Sequence, residues 1–266
     1  MHRLTSSDGT SIAYTQQGTG PAVILVGGGL DDGSENAPLA GELADRFTVF
    51  NYARRGRGES GDTLPYALQR EIEDLEAVIA EAGGSACVYG VSTGGALVLE
   101  AAAEGIDIDR LAVYEVPYNM SDDWSQRWLD YVRQLGEVLA AGRRGDAIEL
   151  FMRLAGSSDE EVAGARSSSM WRGMEELAHT LAYDAACLGD GRPPVTRLAR
   201  ITRPTLVATG VGAREAGAPD WVRALDEAAD AVAASIPHAE RVTVEGQMHV
   251  IEPKTFAPVL ARFFAA

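Results

Sequence analysis

The sequence predicts an α/β protein with a doubly wound, mostly parallel sheet and a helical cap inserted between two of its strands. Short, continuous apolar runs alternate with segments of helical periodicity, which is typical of parallel strands buried on both faces and joined by helices. The alternation stops near Pro117 and resumes at Pro204, with only helical patterns in between. We therefore expect a core formed by residues 1–116 and 201–266 and a cap formed by residues 117–200.

Before the cap, apolar runs and turn signals predict the order of the elements. Asp8-Gly9 is a turn signal between two short segments, 3–6 and 11–15, and predicts an N-terminal hairpin. Four apolar runs then predict buried strands: 22–26, 47–52, 86–89 and 111–114. Segments with helical spacing or strong helix formers predict three helices: 38–46, 66–82 and 95–103.

The cap and the C-terminal part complete the pattern. Helical periodicity covers four segments of the cap: 124–139, 145–154, 159–171 and 174–186. A strand, a helix, a strand and a helix follow in that order: 204–209, 220–235, 241–244 and 256–264. The cap is rich in tryptophan and methionine, so we expect some of these side chains to line an apolar pocket: Trp124, Trp128, Met152, Met170 and Trp171. Alternatively, any of them could simply pack the cap helices against one another.

Composition narrows the class of protein. The 266 residues carry a net charge of −16, which argues against nucleic acid and anionic membrane surfaces as partners. Their 46% hydrophobic content is ordinary for a globular protein with a large core. Cys87 and Cys187 are the two cysteines and indicate no disulfide framework. Without an apolar signal segment or a run of membrane-spanning length, we expect a cytoplasmic protein; its oligomeric state is not predicted.

The stretch Gly90-Val91-Ser92-Thr93-Gly94 is the most informative one in the chain. It joins a buried run to a helix-forming segment, so Ser92 falls in a sharp strand-to-helix turn that lifts its hydroxyl clear of the sheet. The crowding in such a turn explains the flanking glycines, and the turn places the Thr93 N–H at a helix N-terminus, where it can stabilise an oxyanion. Ser92 is therefore predicted to be a nucleophile; the alternative is a glycine-rich turn with an incidental serine.

A serine nucleophile needs a base, usually a histidine that a carboxylate orients. Four histidines are available. His2 is terminal, His179 lies in a predicted cap helix, and His238 precedes the last strand. His249 follows that strand, in a loop at the same edge of the sheet as the Ser92 turn. We therefore predict His249 to be the base.

With these motifs the chain resembles an α/β-hydrolase-fold protein over nearly its whole length. Four segments that follow predicted strands carry the resemblance: Gly27-Gly28-Gly29, Arg54-Arg55-Gly56-Arg57-Gly58-Glu59-Ser60, Gly90-Val91-Ser92-Thr93-Gly94 and Gly246-Gln247-Met248-His249. Many members have His-Gly where this chain has Gly27-Gly28, and that histidine orients the oxyanion loop without being the base. The resemblance implies an oxyanion hole formed by the backbone N–H groups of Gly29 and Thr93.

The acid departs from the family pattern. Members usually place an aspartate shortly after the seventh strand, but Ala213 occupies that place here. Some relatives use an acid at the end of the sixth strand, where this chain has Glu115. A carboxylate that closes a buried strand would cost several kcal/mol if it were unpaired. Pairing with the imidazolium of His249 would explain Glu115 at this position. Alternatives remain open: Glu215, Asp220, which also suits a helix N-cap, or no acid at all.

Other polar residues near these motifs have structural interpretations. The second motif contains Arg54, Arg55 and Arg57. We expect these arginines to pack beside the strand that precedes the oxyanion loop, residues 22–26, rather than to bind a substrate carboxylate. Asp31 and Asp32 follow the predicted oxyanion loop and are expected in a solvated loop; the alternative is that they face the pocket. The sequence has no pattern typical of a metal site or of a dinucleotide fingerprint, and we expect no cofactor.

These residues predict a serine hydrolase that acts on an ester, thioester or lactone of a small to medium, largely apolar molecule. Ser92 would attack the carbonyl, His249 would transfer the proton and Glu115 would orient His249. A cofactor-free lyase or perhydrolase could use the same triad. A ligand-binding protein with slow or absent hydrolysis is the alternative from another class, favoured by the missing acid after the seventh strand.

Overall fold

A computed structural model of the chain describes residues 1–210 and 220–266. In this part of the chain eight strands form one sheet, in the order β1-β2-β4-β3-β5-β6-β7-β8. The first two strands pair antiparallel, β2 also runs antiparallel to β4, and all other neighbours are parallel. The strands are β1 His2–Thr5, β2 Ser11–Gln17, β3 Ala22–Val26, β4 Thr48–Tyr52, β5 Ala86–Val91, β6 Ile108–Tyr114, β7 Thr205–Gly210 and β8 Ala239–Val244.

The helices connect these strands in the predicted alternation. They are α1 Ala37–Leu43, α2 Leu68–Glu81, α3 Thr93–Glu104, α4 Trp124–Ala140, α5 Arg144–Leu154, α6 Asp159–Arg166, α7 Trp171–Leu177, α8 Leu181–Leu188, α9 Val195–Leu198, α10 Asp220–Ser235 and α11 Pro253–Ala265, with a 3₁₀ turn at Ala178–Thr180. Of the helices described, none is both long and apolar enough to cross a membrane.

Two apolar cores cover the two faces of the sheet, because successive side chains of a strand point to opposite faces. In β3, Val23 and Leu25 pack in one core with α1 and α11. Ile24 and Val26 pack in the other core with α2 and α3. All four side chains are fully buried. The continuous apolar run thus belongs to a strand covered on both sides, and the predicted doubly wound, mostly parallel sheet is confirmed.

Helices α4 to α9 lie between β6 and β7, the position in which the sequence predicts a helical insertion. Two predicted segments, 159–171 and 174–186, are wrong in detail, since the structure breaks them into α6, α7, the 3₁₀ turn and α8. At the first break, the Ser167 hydroxyl donates to the Ala163 carbonyl oxygen at 3.0 Å. Serine side chains compete with the backbone for such acceptors, which favours a helix end. The short helix α9 was not predicted.

Candidate active site

Ser92 lies between the last residue of β5 and the first residue of α3. Its backbone is left-handed, with φ 54° and ψ −127°. A non-glycine residue in such a conformation costs about 1–3 kcal/mol and persists only where its surroundings fix it. The Ser92 N–H donates to the Tyr114 carbonyl oxygen of β6 at 2.9 Å, and its carbonyl accepts from Gly95 at 3.0 Å. The strand-to-helix turn predicted around Ser92 is therefore present.

Two glycines are required by close approach at this turn. A Cβ on Gly94 would lie 2.4 Å from the carbonyl oxygen of Gly27, which is backbone that cannot rotate away. A Cβ on Gly28 would lie 3.0 Å from the Ser92 Cβ. The loop after β3 and the start of α3 thus press directly against each other beside Ser92. Thr93, predicted with Gly29 to form the oxyanion hole, is the first residue of α3.

The loop after β8 brings His249 to a buried carboxylate. The Nδ1 of His249 lies 2.8 Å from Oε2 of Glu115, the residue that directly follows β6. Glu115 is 6% exposed. The Tyr114 hydroxyl donates to the Met248 carbonyl oxygen at 2.7 Å, so β6 also holds the backbone next to the histidine.

Glu115 is itself fixed from two directions. Its φ of 47° is again left-handed, and its N–H donates to the Ala208 carbonyl oxygen of β7 at 3.1 Å. Its second carboxylate oxygen, Oε1, accepts the Gly210 N–H at 2.9 Å. Both oxygens therefore have a defined partner, which leaves Oε2 aimed at the Nδ1 of His249.

Ser92 and His249 both line a cavity of about 930 Å³. The Ser92 hydroxyl makes no hydrogen bond within the described part of the chain. Serine–histidine contacts are often long in unliganded sites and tighten with substrate. Gly28, Gly29 and Thr93 lie on the same wall of the cavity. The structure thus gathers the predicted nucleophile, base and oxyanion residues around one space.

The family follows from comparison with known proteins. A model of the alpha/beta hydrolase family matches residues 22–259. The chain belongs to this family. The match spans every one of the four glycine-containing segments on which the sequence resemblance rested.

Relatives match nearly the whole chain. A pimeloyl-[acyl-carrier protein] methyl ester esterase from Xanthomonas campestris is 30% identical over 263 residues, covering 94% of this chain and 97% of that protein. The crystal structure of an alpha/beta hydrolase from Sphaerobacter thermophilus is 47% identical, with a TM-score of 0.85 over 99% of this chain and all of that one. An enol-lactonase from Burkholderia xenovorans, 20% identical with a TM-score of 0.70 over 100% of both chains, shares the fold.

The cavity wall of this alpha/beta hydrolase contains two of the five side chains that the sequence assigned to it. Trp124 and Trp128 line the cavity. Met152, Met170 and Trp171 do not, which corrects the sequence assignment: Met170 is 70% exposed, while Trp171 is buried in the apolar core and Met152 packs against that core. Hydrophobic periodicity identifies the buried side of a helix but not whether a cavity or another helix covers it. The sequence missed other side chains on this wall: Tyr131, Phe151, Leu154, Leu181, Leu188 and Trp221.

The arginine cluster is structural, as the sequence suggested. Arg54, Arg55 and Arg57 are at most 2% exposed. Each pairs with carboxylates of this chain: Arg54 with Glu71 and Asp184, Arg55 with Asp74 and Asp8, and Arg57 with Asp184. Buried charges are stable only when paired in this way.

Asp31 corrects another expectation. Its side chain is buried rather than solvated, and its carboxylate accepts the N–H groups of Gly33 and Glu35 at 2.9 and 3.0 Å. These hydrogen bonds stabilise the turn that follows Gly27-Gly28-Gly29. Asp32 is exposed, as expected.

The structure also places the other candidates for the acid and the base. Asp220 is the first residue of α10, as predicted for the helix over residues 220–235, and pairs with Arg223. Glu215 and Ala213 lie outside the described residues. His2 and His238 are exposed. The His179 Nε2 lies 3.7 Å from the Asp62 carboxylate, and burial lowers the pKa of this histidine.

Proposed function

We propose that the chain is a serine hydrolase that cleaves an ester, thioester or lactone of a small to medium, largely apolar molecule. The observation that carries this proposal is the 2.8 Å contact between Glu115 Oε2 and His249 Nδ1, at a cavity that Ser92 also lines. The Xanthomonas relative, a methyl ester esterase, supports an ester as the substrate.

The proposed mechanism accounts for each proton. Glu115 accepts the Nδ1–H of His249, which leaves Nε2 unprotonated and able to take the Ser92 proton. Ser92 Oγ then attacks the carbonyl carbon, and His249 passes the same proton to the departing alcohol. Water hydrolyses the acyl-enzyme by the same steps in reverse order, giving the acid and regenerating Ser92.

The oxyanion of each tetrahedral intermediate would be held by backbone N–H groups. Thr93 begins α3, so its N–H belongs to the unpaired donors at a helix N-terminus. Gly29 follows Gly28, on which a Cβ would lie 3.0 Å from the Ser92 Cβ. Two such donors stabilise negative charge that forms only during the reaction, and losing one typically costs about 10²–10³-fold in rate.

The apolar part of the cavity wall supports an apolar substrate. The indole N–H of Trp124 donates to the Gly191 carbonyl oxygen at 3.1 Å, and that of Trp128 donates to Gly189 at 2.9 Å. Their polar atoms are thus already satisfied, so the rings offer apolar surface to the cavity. Tyr131 and Phe151 extend this surface. An acyl chain of several carbons fits such a wall.

A panel of p-nitrophenyl esters of increasing acyl length, together with a fluorophosphonate probe, tests the proposal. We expect turnover of the esters and rapid covalent labelling at Ser92. Ser92→Ala should lose about 10³-fold or more in kcat with an unchanged melting temperature, since it removes one oxygen at a turn.

A matched control is Ser85→Ala, at the opposite end of β5, which should retain wild-type kinetics. If Ser92→Ala keeps more than a tenth of the wild-type activity, the nucleophile is misassigned. If the wild type neither turns over esters nor reacts with the probe, the chain is a ligand-binding protein. Labelling at Ser92 without ester turnover would indicate a lyase or perhydrolase.

A further inference from the structure

A second carboxylate, Asp184, lies in the same cavity and has no part in the proposed triad. It belongs to α8, and its side chain is only 6% exposed. It nevertheless lines the cavity together with Ser92. No sequence motif contains it, because its partners lie about a hundred residues or more away along the chain.

The two oxygens of Asp184 have different surroundings. Oδ1 accepts three hydrogen bonds: from the Thr93 hydroxyl at 2.7 Å, from Arg54 Nη1 at 2.8 Å and from Arg57 Nη2 at 2.6 Å. Oδ2 is buried and accepts none within the described residues. A buried carboxylate oxygen without a donor is unfavourable, so it marks a position at which a hydrogen-bond donor would be held strongly.

The position of Oδ2 is next to the proposed oxyanion hole. A Cβ built on Gly29 would lie 3.3 Å from Oδ2. The Thr93 side chain contacts the other oxygen of the same carboxylate. Asp184 therefore lies between the two residues whose N–H groups would hold the substrate carbonyl oxygen. A substrate group that reaches Oδ2 would therefore lie near that carbonyl.

The charge of this cluster determines what Oδ2 can bind. Burial by itself raises the pKa of Asp184, but the guanidinium groups of Arg57 and Arg54 more than offset this and hold the pKa below its ordinary value. The carboxylate is ionised and can only accept hydrogen bonds. Arg54 also pairs with Glu71, so two arginines and two carboxylates compensate each other. An anionic substrate group gains nothing here, whereas a neutral hydroxyl is a fitting donor.

We propose that Asp184 Oδ2 accepts a hydrogen bond from a hydroxyl on the acyl part of the substrate, close to the scissile carbonyl. The chain would then select hydroxyacyl esters over plain acyl esters. This inference rests on the proposed ester hydrolysis and adds a substrate class to it. The carboxylate is a specificity-determining acceptor; the bond-breaking steps remain those of Ser92 and His249.

Matched esters test the inference on the wild-type protein. Butanoyl p-nitrophenyl esters with a hydroxyl, a methoxy group or hydrogen at carbon 2 or carbon 3 are compared by kcat/KM. The methoxy group withdraws electrons much as the hydroxyl does but has no proton to donate. At one of the two positions, we expect the kcat/KM of the hydroxy ester to exceed those of the methoxy ester and the unsubstituted ester by about 10-fold or more. Equal rates within each set would overturn the inference.

Asp184→Asn identifies the acceptor. The three donors at Oδ1 require an oxygen there, so the amide NH₂ would replace Oδ2 and would donate instead of accepting. Hydroxyl and methoxy oxygens can both accept from it, so their kcat/KM ratio should fall close to one. Asp74→Asn is the matched control, since Asp74 is an equally buried carboxylate paired with Arg55 and does not line the cavity. It should keep the wild-type ratio.

The outcomes separate this inference from the proposed function. Turnover of all the esters without preference for hydroxyl, or an Asp184→Asn protein that keeps the wild-type ratio, overturns the role of Asp184 alone. Absence of turnover and of fluorophosphonate labelling overturns the proposed function and this inference with it. Should Asp184→Asn fail to fold, the wild-type comparison of hydroxy and methoxy esters decides.

Discussion

Glu115→Gln is the most informative substitution for the mechanism, because both carboxylate oxygens act as acceptors. Oε2 faces His249 Nδ1 at 2.8 Å and Oε1 accepts the Gly210 N–H at 2.9 Å. Glutamine has the same shape but only one acceptor oxygen. No orientation of the amide can therefore satisfy both neighbours while His249 keeps its proton on Nδ1.

Each orientation has a definite consequence. If the NH₂ group faces Gly210, two donors oppose each other and the buried N–H loses its partner, at a cost of about 1–3 kcal/mol. If the NH₂ group faces His249, Nδ1 must accept, so the proton moves to Nε2. The imidazole then cannot take the proton from Ser92. The second orientation avoids the buried unpaired donor, so we expect it to dominate and kcat to fall by roughly 10²–10⁴-fold.

The assay is the kcat of the variant on the best p-nitrophenyl ester, with the melting temperature as a check on folding. Asp220→Asn is the matched control, as the other described candidate for the acid. It should change kcat little, because its carboxylate pairs with Arg223 at the start of α10. A Glu115→Gln protein with more than a tenth of the wild-type kcat would refute the reasoning, as would a larger loss in Asp220→Asn.

Two further predictions concern stability. Gly94→Ala places a Cβ 2.4 Å from the Gly27 carbonyl oxygen and should lower the free energy of unfolding by about 1–3 kcal/mol, measured by urea denaturation. Gly136→Ala, in α4 with open space around its Cβ position, should instead stabilise by up to about 1 kcal/mol, and a similar loss in both would contradict this. The pKa values of Glu71 and Asp184 are lowered in the fold because, although burial raises them, nearby guanidinium groups outweigh it. At these two sites the unfolded chain therefore binds more protons, and their contribution to stability should be lost as the pH drops below about 4; an Asp184→Asn protein that loses as much stability between pH 6 and 3 as the wild type would refute this.

The parts of the site that the sequence could predict are those that local chemistry dictates. A serine between a buried strand and a helix, with glycines on both sides, has few other structural solutions, and Gly94 shows why: the loop after β3 leaves no room for a side chain. His249 follows from topology, since the carboxyl ends of parallel strands open on one edge. These inferences need only the order of strands, which apolar runs reveal well.

The parts that the sequence could not predict depend on contacts between distant segments. Asp184 appears as one acidic residue in a helical segment, and only the fold shows that Arg54 and Arg57 reach it from the loop after β4. Met152 and Trp171 illustrate the same limit, because helical periodicity marks them as buried without showing what covers them. The expectation that Asp31 is solvated failed for a different reason. Its carboxylate accepts hydrogen bonds from N–H groups of the adjacent turn, which allows a polar loop residue to be buried.

In the proposed triad, Glu115 takes the role that the family usually gives to an acid after β7, although it directly follows β6. Main-chain groups of β7 hold Glu115 in place. The Glu115 N–H donates to the Ala208 carbonyl oxygen, and the Glu115 Oε1 accepts the Gly210 N–H. Its left-handed backbone, with φ 47°, is unfavourable for a glutamate, and these two contacts are what hold it. The end of β7 therefore still orients the carboxylate toward His249, although it supplies N–H and C=O groups in place of a side chain. In the proposed triad, the acid therefore follows a different strand, while β7 still positions it.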